Sequence, residues 1–446
     1  MTTRLKVSLG ILFVFQLVVA GLFGLAHDEA YYWLFSRHLD WGFFDHPPFV
    51  AVLIRYFSFL GHHELSVRAG FICIQFLTVF LVMDLVPERH KTKVLFLFFA
   101  FPLASIGGML ALPDMPLLFM TAVYAWLLRN YLEKDDLKNS CSLGAAIALL
   151  FYAKYHGVLL VFFTLLAIPK LLQRKSFYIV TLVAILIFLP HMWWQYSHNF
   201  ATLRYHFLER PSSSFSFKRS FEFVFLQVIL AGLLAGPVVW WGVIKHKTTD
   251  QFERSLKFIS IGSVIFFLIS SLSKKTEANW TVYLTVPLII LTLQHEIWDR
   301  KWVQRLLYVS FGIVLLARLV FVFDKDQLPL KRLGEFNGWR GFALGVKIKC
   351  GHRVIMANSY QIAAKLSYYL KMDVPALNYH SRKNQFDFWR FDLDHFGQPV
   401  CYVTDKKKFM GQIVTTPEGK ELHIVHLPVL PRELEPKHIQ IEKVGQ

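Results

Sequence analysis

Repeated long apolar segments constrain the fold of this chain more than any other feature. About 20 apolar residues span the hydrocarbon core of a bilayer, and 54% of the 446 residues are hydrophobic. The sequence therefore predicts an all-α polytopic membrane protein with about eleven spans. The expected spans are 7–26, 66–86, 94–110, 115–131, 142–153, 157–170, 177–195, 222–244, 256–272, 281–294 and 305–323, with a tilt or a break around 154–156.

The formal net charge of +17 does not indicate a nucleic-acid partner, because of where the charges fall. With the N-terminus in the cytoplasm, the basic residues lie mostly in short loops that alternation places on the cytoplasmic side. These loops hold Arg89, Lys91, Lys93, Lys134, Lys138, Arg174, Lys175, Lys245, Lys247, Arg254, Arg300 and Lys301. The positive-inside rule explains this pattern and predicts a multi-pass protein of the cell inner membrane.

The region after the last predicted span has a different composition. Hydrophobicity drops, turn signals appear, and a predicted helix near 360–371 lies among short β-rich runs. We predict a transmembrane domain at 1–323 and a small α/β domain at 324–446 on the periplasmic face. The β-rich runs are 354–356, 400–403 and 424–425.

Cysteine usage does not suggest a disulfide scaffold. Cys73 and Cys141 fall in or beside predicted spans and are interpreted as packing residues. Cys350 and Cys401 lie in the hydrophilic tail, and they are able to pair if that tail occupies an oxidising compartment.

An acidic pair, Asp28-Glu29, stands at the exit of the first apolar segment. Carboxylates near lipid are costly and usually mark function, so both are candidate catalytic residues. The aromatic residues that follow, Tyr31 to Trp33, are typical of a helix lying at the membrane–water interface. Tyr31 is also a candidate substrate-binding residue.

The next outer segments add further acidic residues. Asp45 and His46 precede two prolines that stiffen the loop, and both are candidate substrate-binding residues. Asp114 lies between two prolines and two apolar spans. It is either a helix N-cap, which Asp forms well, or a third catalytic carboxylate; a capping Asp can also face a site.

Basic residues on the outer face run against the positive-inside bias and suggest an anionic ligand. Lys154 lies in an almost wholly apolar stretch, so it either snorkels to the interface or contacts a phosphate. The other candidate binding residues are Tyr155, Arg204, Lys274, Lys275, Glu277 and Asn279. Arg204 shares its loop with His206, Arg210, Lys218 and Arg219, and a solvated loop is the alternative for each.

The sequence contains no metal-binding signature and no phosphate-cradling glycine loop. No cofactor is therefore predicted, and a divalent cation among the outer carboxylates and His46 is only an alternative. If the protein is a transferase, a cytosolic sugar nucleotide is not the expected donor.

The segments that hold these residues resemble the GT-C superfamily of polyprenyl-phosphate-dependent glycosyltransferases. The likeness is strongest to bacterial relatives of the protein O-mannosyltransferases, glycosyltransferase family 39, and weaker to the aminoarabinose and galacturonic acid lipid A transferases. The matching runs are HDEAYYW at 27–33, FDHPPF at 44–49, LPDMPLLF at 112–119, AKYHGVLL at 153–160, SKKTEANW at 273–280, YLTVP at 283–287, NSYQIAAKLSYYL at 358–370 and SRKNQFDFW at 381–389. They extend over nearly the whole chain.

The resemblance implies transfer of a sugar from a polyprenyl-phosphate donor to a hydroxyl of a lipid or protein acceptor on the periplasmic face, generally with inversion. Asp28 matches the acidic catalytic position of the family, which implies a general base. The resemblance also implies that Lys154, with Lys274 or Lys275, stabilises the departing lipid phosphate. Glu29 and Asp114 would then orient the acceptor or the base.

Departures from the family leave the acceptor open. The chain is shorter than the protein O-mannosyltransferases and its tail differs from their lumenal domains, so lipid A or its core sugars are at least as well supported as proteins. A transporter or flippase of lipid-linked sugars and an envelope assembly factor are the alternatives. Polar residues at one membrane face, rather than at the bilayer midplane, favour the enzyme.

Overall fold

A computed structural model describes residues 2–205, 215–323, 330–378, 382–406 and 408–431, so His206 and Arg210 lie outside the described residues. The part described is mainly helical, with one small sheet near the C-terminus. Its helices are α1 (Thr3–Gly21), α2 (His27–Arg37), α3 (Phe49–Phe57), α4 (Glu64–Asp84), α5 (Lys91–Ala100), α6 (Pro102–Gly107), α7 (Asp114–Glu133), α8 (Leu137–Ala153), α9 (Gly157–Ala167), α10 (Lys175–Ser197), α11 (Ala201–Arg204), α12 (Phe217–Leu230), α13 (Gly236–Lys245), α14 (Gln251–Ser273), α15 (Thr285–Thr292), α16 (Lys301–Ala317), α17 (Trp339–Cys350), α18 (Tyr360–Leu370) and α19 (Phe386–Trp389). The strands are β1 (Val354–Ala357), β2 (Val400–Thr404), β3 (Gln412–Thr415) and β4 (Glu421–Leu427).

Long apolar helices confirm the polytopic membrane class. Among the described residues, five helices are long and apolar enough to cross a bilayer: α1, α4, α10, α14, and α16 continued to Val322. A sixth candidate is the bent pair formed by α12 and the segment Leu233–Lys245. Shorter apolar helices occupy the other predicted positions, and the count of about eleven spans stays a prediction.

Two predicted spans are wrong as single straight helices. The segment 94–110 is divided between α5 and α6 at Pro102, whose ring cannot continue the preceding helix. The segment 222–244 bends by 106° between α12 and α13, where Gly232 has a φ of 120° that favours glycine. The break expected around 154–156 is confirmed, because α8 ends at Ala153 and α9 begins at Gly157.

A buried polar network joins four helical segments inside the membrane part. Arg318, which is fully buried, donates from Nη1 to Gln16 Oε1 at 2.9 Å and from Nη2 to the Ser105 hydroxyl. Gln75 Nε2 donates to the Ala104 carbonyl at 2.5 Å and contacts Gln16. Backbone carbonyls left without partners near the α5–α6 break are costly in an apolar interior. Side chains of α4 therefore satisfy them there.

The sheet near the C-terminus is mixed, with strand order β1-β2-β4-β3. β1 pairs in parallel with β2 from Val354↔Val400, while β2 with β4 and β4 with β3 are antiparallel. β2 is buried along its whole length. The predicted runs 354–356, 400–403 and 424–425 and the helix near 360–371 are confirmed. β3 was not predicted.

A disulfide joins Cys350 at the end of α17 to Cys401 in β2, with their Cα atoms 5.5 Å apart. The structure therefore contains the Cys350–Cys401 pairing, which the sequence predicted only for an oxidising compartment. Cys73 and Cys141 are free and half-buried, consistent with packing residues.

The tail packs directly on the segment between α1 and α2. Lys365, fully buried in α18, donates to the carbonyl oxygens of Leu25 and Glu335. Tyr369 Oη accepts from the Leu25 amide at 3.2 Å. A Cβ atom at Gly24 would overlap the carbonyl oxygen of Phe336, so only glycine permits this approach. The tail thus covers the exit of the first span.

Candidate active site

Asp28 lies in the first turn of α2, where the helix N-terminus favours negative charge. Its residue is exposed to solvent, yet the protein around it removes much of the hydration of the carboxylate. Burial first, and then the negative charges of Glu335 and Asp45, raise the pKa of Asp28 to about 6. His27 and Arg382 oppose that rise. A solvent-accessible carboxylate with this pKa suits a proton acceptor near neutral pH.

Glu29 has a different environment from its neighbour. Its side chain is fully buried, and Arg68 donates to both of its oxygens, at 2.8 Å from Nε and 2.6 Å from Nη2. The backbone amides of Ala26 and Ala111 donate to the same oxygens, each at 2.8 Å. Four donors thus engage both Glu29 oxygens, and the catalytic role of Glu29 stays a prediction.

Arg68 is a site-supporting residue that the sequence reasoning missed. Its guanidinium donates to the carbonyl oxygens of Ala20, Phe23 and Gly24 at 2.6 to 2.8 Å and stacks 3.9 Å from the Phe23 ring centroid. These carbonyls end α1 and have no partner within the helix. A charged residue inside the predicted span 66–86 was the available signal.

Asp45 joins α2 to the tail. Tyr31 Oη donates to Asp45 Oδ2 at 2.8 Å and accepts from the Gln385 amide at 2.8 Å. Arg382 Nη1 lies 3.1 Å from Asp45 Oδ1. Burial raises the pKa of Asp45, while the charge of Arg382 opposes the rise. Asp45 and Tyr31 therefore form part of the site wall, and Arg382 adds a cation that the sequence candidates did not include.

The aromatic residues of α2 are inside the protein, which contradicts their interpretation as an interfacial helix. Tyr31, Tyr32 and Trp33 are 2%, 5% and 8% exposed. The Tyr31 ring lies 4.8 Å from that of Tyr360 in α18, and Tyr32 packs edge-on against the ring of His46 at 5.6 Å. These rings therefore pack inside the protein, with Tyr31 and Tyr32 beside the site and Trp33 against His62 and Tyr368.

Asp114, Lys154 and Asn279 come together from three segments that are far apart in the sequence. Lys154 Nζ donates to Asp114 Oδ1 at 2.9 Å, and Asn279 Nδ2 donates to Asp114 Oδ2 at 3.0 Å. Asp114 begins α7, while Lys154 occupies the break between α8 and α9. Lys154 is 4% exposed. The buried Lys154 charge therefore has a partly buried carboxylate partner and does not snorkel.

The lysine-rich outer segment is placed differently from Lys154. Lys275 Nζ lies 2.9 Å from Glu277 Oε1, and their side chains are 78% and 47% exposed. Ion pairs exposed to this degree contribute little free energy. Lys274 is half-buried at the end of α14. Binding roles for Lys274, Lys275 and Glu277 stay predictions.

Tyr155 holds the α8–α9 break against α10. Its hydroxyl lies 3.0 Å from His191 Nε2 and accepts from Gln195 Nε2 at 2.8 Å. His191 Nδ1 in turn lies 2.7 Å from the Trp41 carbonyl oxygen. These contacts hold Tyr155 beside Lys154, and its role in substrate binding stays a prediction.

Arg204 lies on a cleft of about 620 Å³ next to Asp45. The lining residues are Phe44, Ser197, His198, Asn199, Ala201, Arg204, Lys383 and Phe388. His198, Arg204 and Lys383 make the lining basic, and none of the described residues that line it carries a carboxylate. Phe44 connects the cleft to the site, because it precedes Asp45 and its amide donates to Gln385 Oε1 at 2.7 Å.

Metal binding receives no support from the part of the chain that the structure describes. It contains no group of three or more His, Cys, Asp or Glu side chains placed to hold an ion. The described carboxylates are instead paired with cations or amide groups, as at Asp45 and Asp114, or open to solvent, as at Asp28.

Sequence comparisons identify relatives of this chain. Residues 45–194 match the family described as dolichyl-phosphate-mannose-protein mannosyltransferase. The lipid A galacturonosyltransferase RgtD of Rhizobium johnstonii is 24% identical, over 77% of this chain and 77% of its own.

Two solved structures of ArnT from Cupriavidus metallidurans share the fold. The structure with bound undecaprenyl phosphate has a TM-score of 0.71 at 15% identity, covering 96% of this chain and 98% of that one. The apo structure gives 0.70 at 14% identity, covering 96% and 99%. The fold and its relatives define an integral-membrane glycosyltransferase. These comparisons support the resemblance of the chain to glycosyltransferases of the GT-C superfamily.

Proposed function

We propose that the protein transfers a sugar from a polyprenyl-phosphate donor to a hydroxyl of a lipid acceptor, with Asp28 as general base. The observation that carries the proposal is the solvent-accessible Asp28 carboxylate, with a pKa raised to about 6, amid neighbouring acids that are paired. The solved relative that binds undecaprenyl phosphate supports the donor class. The relative named for lipid A supports a lipid acceptor.

Asp28 removes the proton of the acceptor hydroxyl as its oxygen attacks the anomeric carbon of the sugar. The bond from that carbon to the phosphate oxygen breaks, and its electron pair leaves with the lipid phosphate. Attack on the face opposite the leaving group inverts the anomeric carbon. A positioned base contributes about 10²–10⁴ in rate. We place no second carboxylate as a nucleophile.

Negative charge grows on the departing phosphate, and two cations support its stabilisation. Lys154 is 4% exposed, so its charge acts where water is scarce and electrostatic contacts are strongest. Arg382 has five donors and a side chain that is 44% exposed, which leaves room for a ligand beside Asp45. Asp114 and Asn279 position Lys154 for this role.

The basic cleft next to Asp45 suits an acceptor that carries negative charge. His198, Arg204 and Lys383 converge on it, while Phe44 and Phe388 add apolar surface. Arginine and lysine side chains bind phosphate and carboxylate groups through charge-assisted hydrogen bonds. An anionic lipid headgroup in this cleft would place an acceptor hydroxyl on the same side as Asp45 and Asp28.

We assign the site to the periplasmic side of the cell inner membrane. The basic loops 87–93, 132–141 and 171–176 then face the cytoplasm, in accord with the positive-inside rule. The disulfide between Cys350 and Cys401 lies in the tail that covers the site, and disulfides persist mainly in oxidising compartments. Both observations support this orientation.

Purified protein in proteoliposomes tests the proposal. Polyprenyl-phosphate mannose, glucose, galacturonic acid and aminoarabinose are offered with lipid A or membrane-protein acceptors, and products are read by mass spectrometry. We expect transfer to lipid from one donor, and its loss in Asp28→Asn. Movement of the donor between leaflets without transfer would support the flippase alternative instead.

Acceptor kinetics test the cleft separately. Arg204→Gln and Lys383→Gln are expected to raise KM for the lipid acceptor by about tenfold, equivalent to about 1.4 kcal/mol, without changing KM for the donor. Lys218→Gln is the matched control, because Lys218 is also basic and is 84% exposed next to Glu222. An unchanged acceptor KM in both cleft variants would contradict the assignment.

A further inference from the structure

One face of α17 is exposed and amphipathic. Arg340, Leu344, Lys347 and Ile348 follow the i, i+4, i+7, i+8 spacing of a single helix face. Leu344 is 50% and Ile348 80% exposed, although the opposite face packs on the sheet. Exposed aliphatic side chains flanked by Arg and Lys are typical of helices that lie in a membrane interface.

The position of a neighbouring cleft places this face at the level of the bilayer surface. A cleft of about 720 Å³ separates α17 from His62, which lies two residues before the membrane span α4 begins at Glu64. His62 Nε2 contacts the Tyr368 carbonyl oxygen at 2.9 Å, and the two rings stack at 4.6 Å. The segment just before the N-terminus of α4 is therefore in direct contact with the tail.

Exposed aromatic residues also lie in the segment just before His62. Tyr56 and Phe59, just before His62, are 72% and 74% exposed, and Leu60 is 43% exposed. Aromatic rings collect at membrane–water interfaces. The segment after α3 therefore carries exposed aromatic side chains close in sequence to His62, which lines the cleft.

The charged side chains that line the cleft are basic, and among the described residues Glu64 is the one carboxylate beside it that acts directly on all three of His62, Tyr368 and Tyr369. The residues that line the cleft are His62, Arg340, Leu344, Tyr368, Tyr369 and Lys371, and none is acidic. Lys347 and Lys349 add exposed positive charge on α17. Basic residues near a bilayer attract anionic lipid.

We propose that the exposed face of α17 rests on the bilayer and that the cleft binds the phosphate headgroup of an anionic phospholipid. This contact is separate from the catalytic site and does not depend on the proposed function. It holds the tail against the membrane, and α18 connects it to α2, where Asp28 lies. The occupant is a lipid of the surrounding bilayer, because apolar exposure and positive charge meet at the surface from which α4 enters it.

Membrane depth of Ile348 is the first test. Ile348→Cys is labelled with the fluorophore NBD in the full chain carrying Cys73→Ser and Cys141→Ser, and reconstituted with phosphatidylglycerol. Glu421→Cys is the control, since Glu421 is exposed on the sheet of the same tail. We expect blue-shifted emission and slow dithionite quenching at 348 only. Equal quenching at both positions would overturn the proposal.

Lipid retention tests the cleft itself. Native mass spectrometry of protein released from bilayers counts bound phosphatidylglycerol in the wild type and in Arg340→Gln with Lys371→Asn. Asn is chosen because position 371 has a φ of 58°, which Asn tolerates. We expect about fivefold weaker retention per charge removed, which corresponds to about 1 kcal/mol.

A competition experiment distinguishes a lipid phosphate from inorganic phosphate as the ligand of the cleft. Inorganic phosphate at equal concentration is expected to leave phosphatidylglycerol retention unchanged, because the proposed ligand also contacts Leu344 and the bilayer. Displacement by inorganic phosphate, or retention that is equal in wild type and variant, would overturn the lipid assignment. Elution of the variant as a single species in size-exclusion chromatography confirms that it is folded.

Discussion

Asp28 and Glu29 are adjacent in the sequence, but their carboxylates have opposite electrostatic environments. Glu29 is fully buried and receives four donors, two from Arg68 and two from backbone amides. Asp28 is open to solvent, and two nearby carboxylates raise its pKa further. The structure compensates one charge completely and leaves its neighbour poorly compensated. Such a contrast separates a residue that stabilises the fold from one suited to chemistry.

The Glu29 region also explains why the Asp28 region holds its shape. Arg68 connects Glu29 to the last carbonyls of α1, and Glu29 connects onward to Ala111, three residues before Asp114. One buried ion pair thus fixes the relative positions of the two segments that carry Asp28 and Asp114. Substitutions in the Asp28 region and in the Glu29 region should therefore give different phenotypes.

Asp28→Asn should have the largest effect on activity. Asn has almost the same shape but cannot accept the proton, so kcat is expected to fall by about 10²–10⁴ while the fold is retained. Single-turnover transfer in proteoliposomes measures the loss. Activity above a tenth of wild type would assign the base to another residue.

The same variant should also be more stable at neutral pH. The carboxyl has a pKa of about 6 in the folded chain, against an ordinary value of 3.8. Between those values the unfolded chain loses its proton first, so ionisation of Asp28 disfavours folding as pH rises. The melting temperature of Asp28→Asn in detergent should exceed that of wild type at pH 8, and the difference should vanish near pH 4.

Glu29→Gln should damage folding rather than chemistry. It leaves Arg68 buried without its carboxylate, and removing one partner of a buried pair costs about 3–5 kcal/mol. Thermal unfolding in detergent measures the loss. Glu277→Gln is the matched control, because the exposed pair with Lys275 contributes at most about 1 kcal/mol. An equal loss of thermal stability in the two variants would contradict the expected difference between buried and exposed ion pairs.

Asp114 and Lys154 form an intermediate case: Lys154 is buried, Asp114 is partly buried, and the pair is assigned to chemistry. Asp114→Asn and Lys154→Gln should each lower stability, and the double variant should lose less than the sum, with a coupling of about 0.5–3 kcal/mol. The double variant should nevertheless remain slow in transfer, because the cation for the departing phosphate is gone. Recovery of both stability and turnover in the double variant would limit the pair to a structural role.

Much of the fold follows from the apolar pattern, because a backbone in lipid must satisfy its own hydrogen bonds as a helix. The pattern does not locate bends. The 106° bend after α12 depends on a glycine with positive φ and on the helices packed around it. β3 was missed because QIVT is short and mostly exposed, so it lacks the pattern of a buried strand.

The candidate site was predictable only in part. Costly charges at span ends pointed to Asp28, Asp114 and Lys154, and the structure joins the last two. The Arg68 and Arg382 contacts could not be predicted, since each crosses long stretches of sequence and depends on tertiary packing. Burial of the α2 aromatics depends on the tail, which no local periodicity reveals.

Glu335→Gln offers the smallest and sharpest test of the comparison. Glu335 is the larger of the two charge contributions that raise the pKa of Asp28, and its Oε1 accepts from the His27 amide at 3.0 Å. Gln can keep that hydrogen bond through its own oxygen, so only the negative charge is removed. If ionised Asp28 is the base, activity rises with pH through about 6. The midpoint should move to lower pH by roughly half a unit, as expected for one neighbouring charge. Asp299→Asn is the control, because Asp299 pairs with Lys93 in a loop assigned to the opposite face. A midpoint that stays in place or moves to higher pH would separate the titrating group from Asp28, whereas the expected shift would link the chemistry to the one acid that the structure leaves poorly compensated.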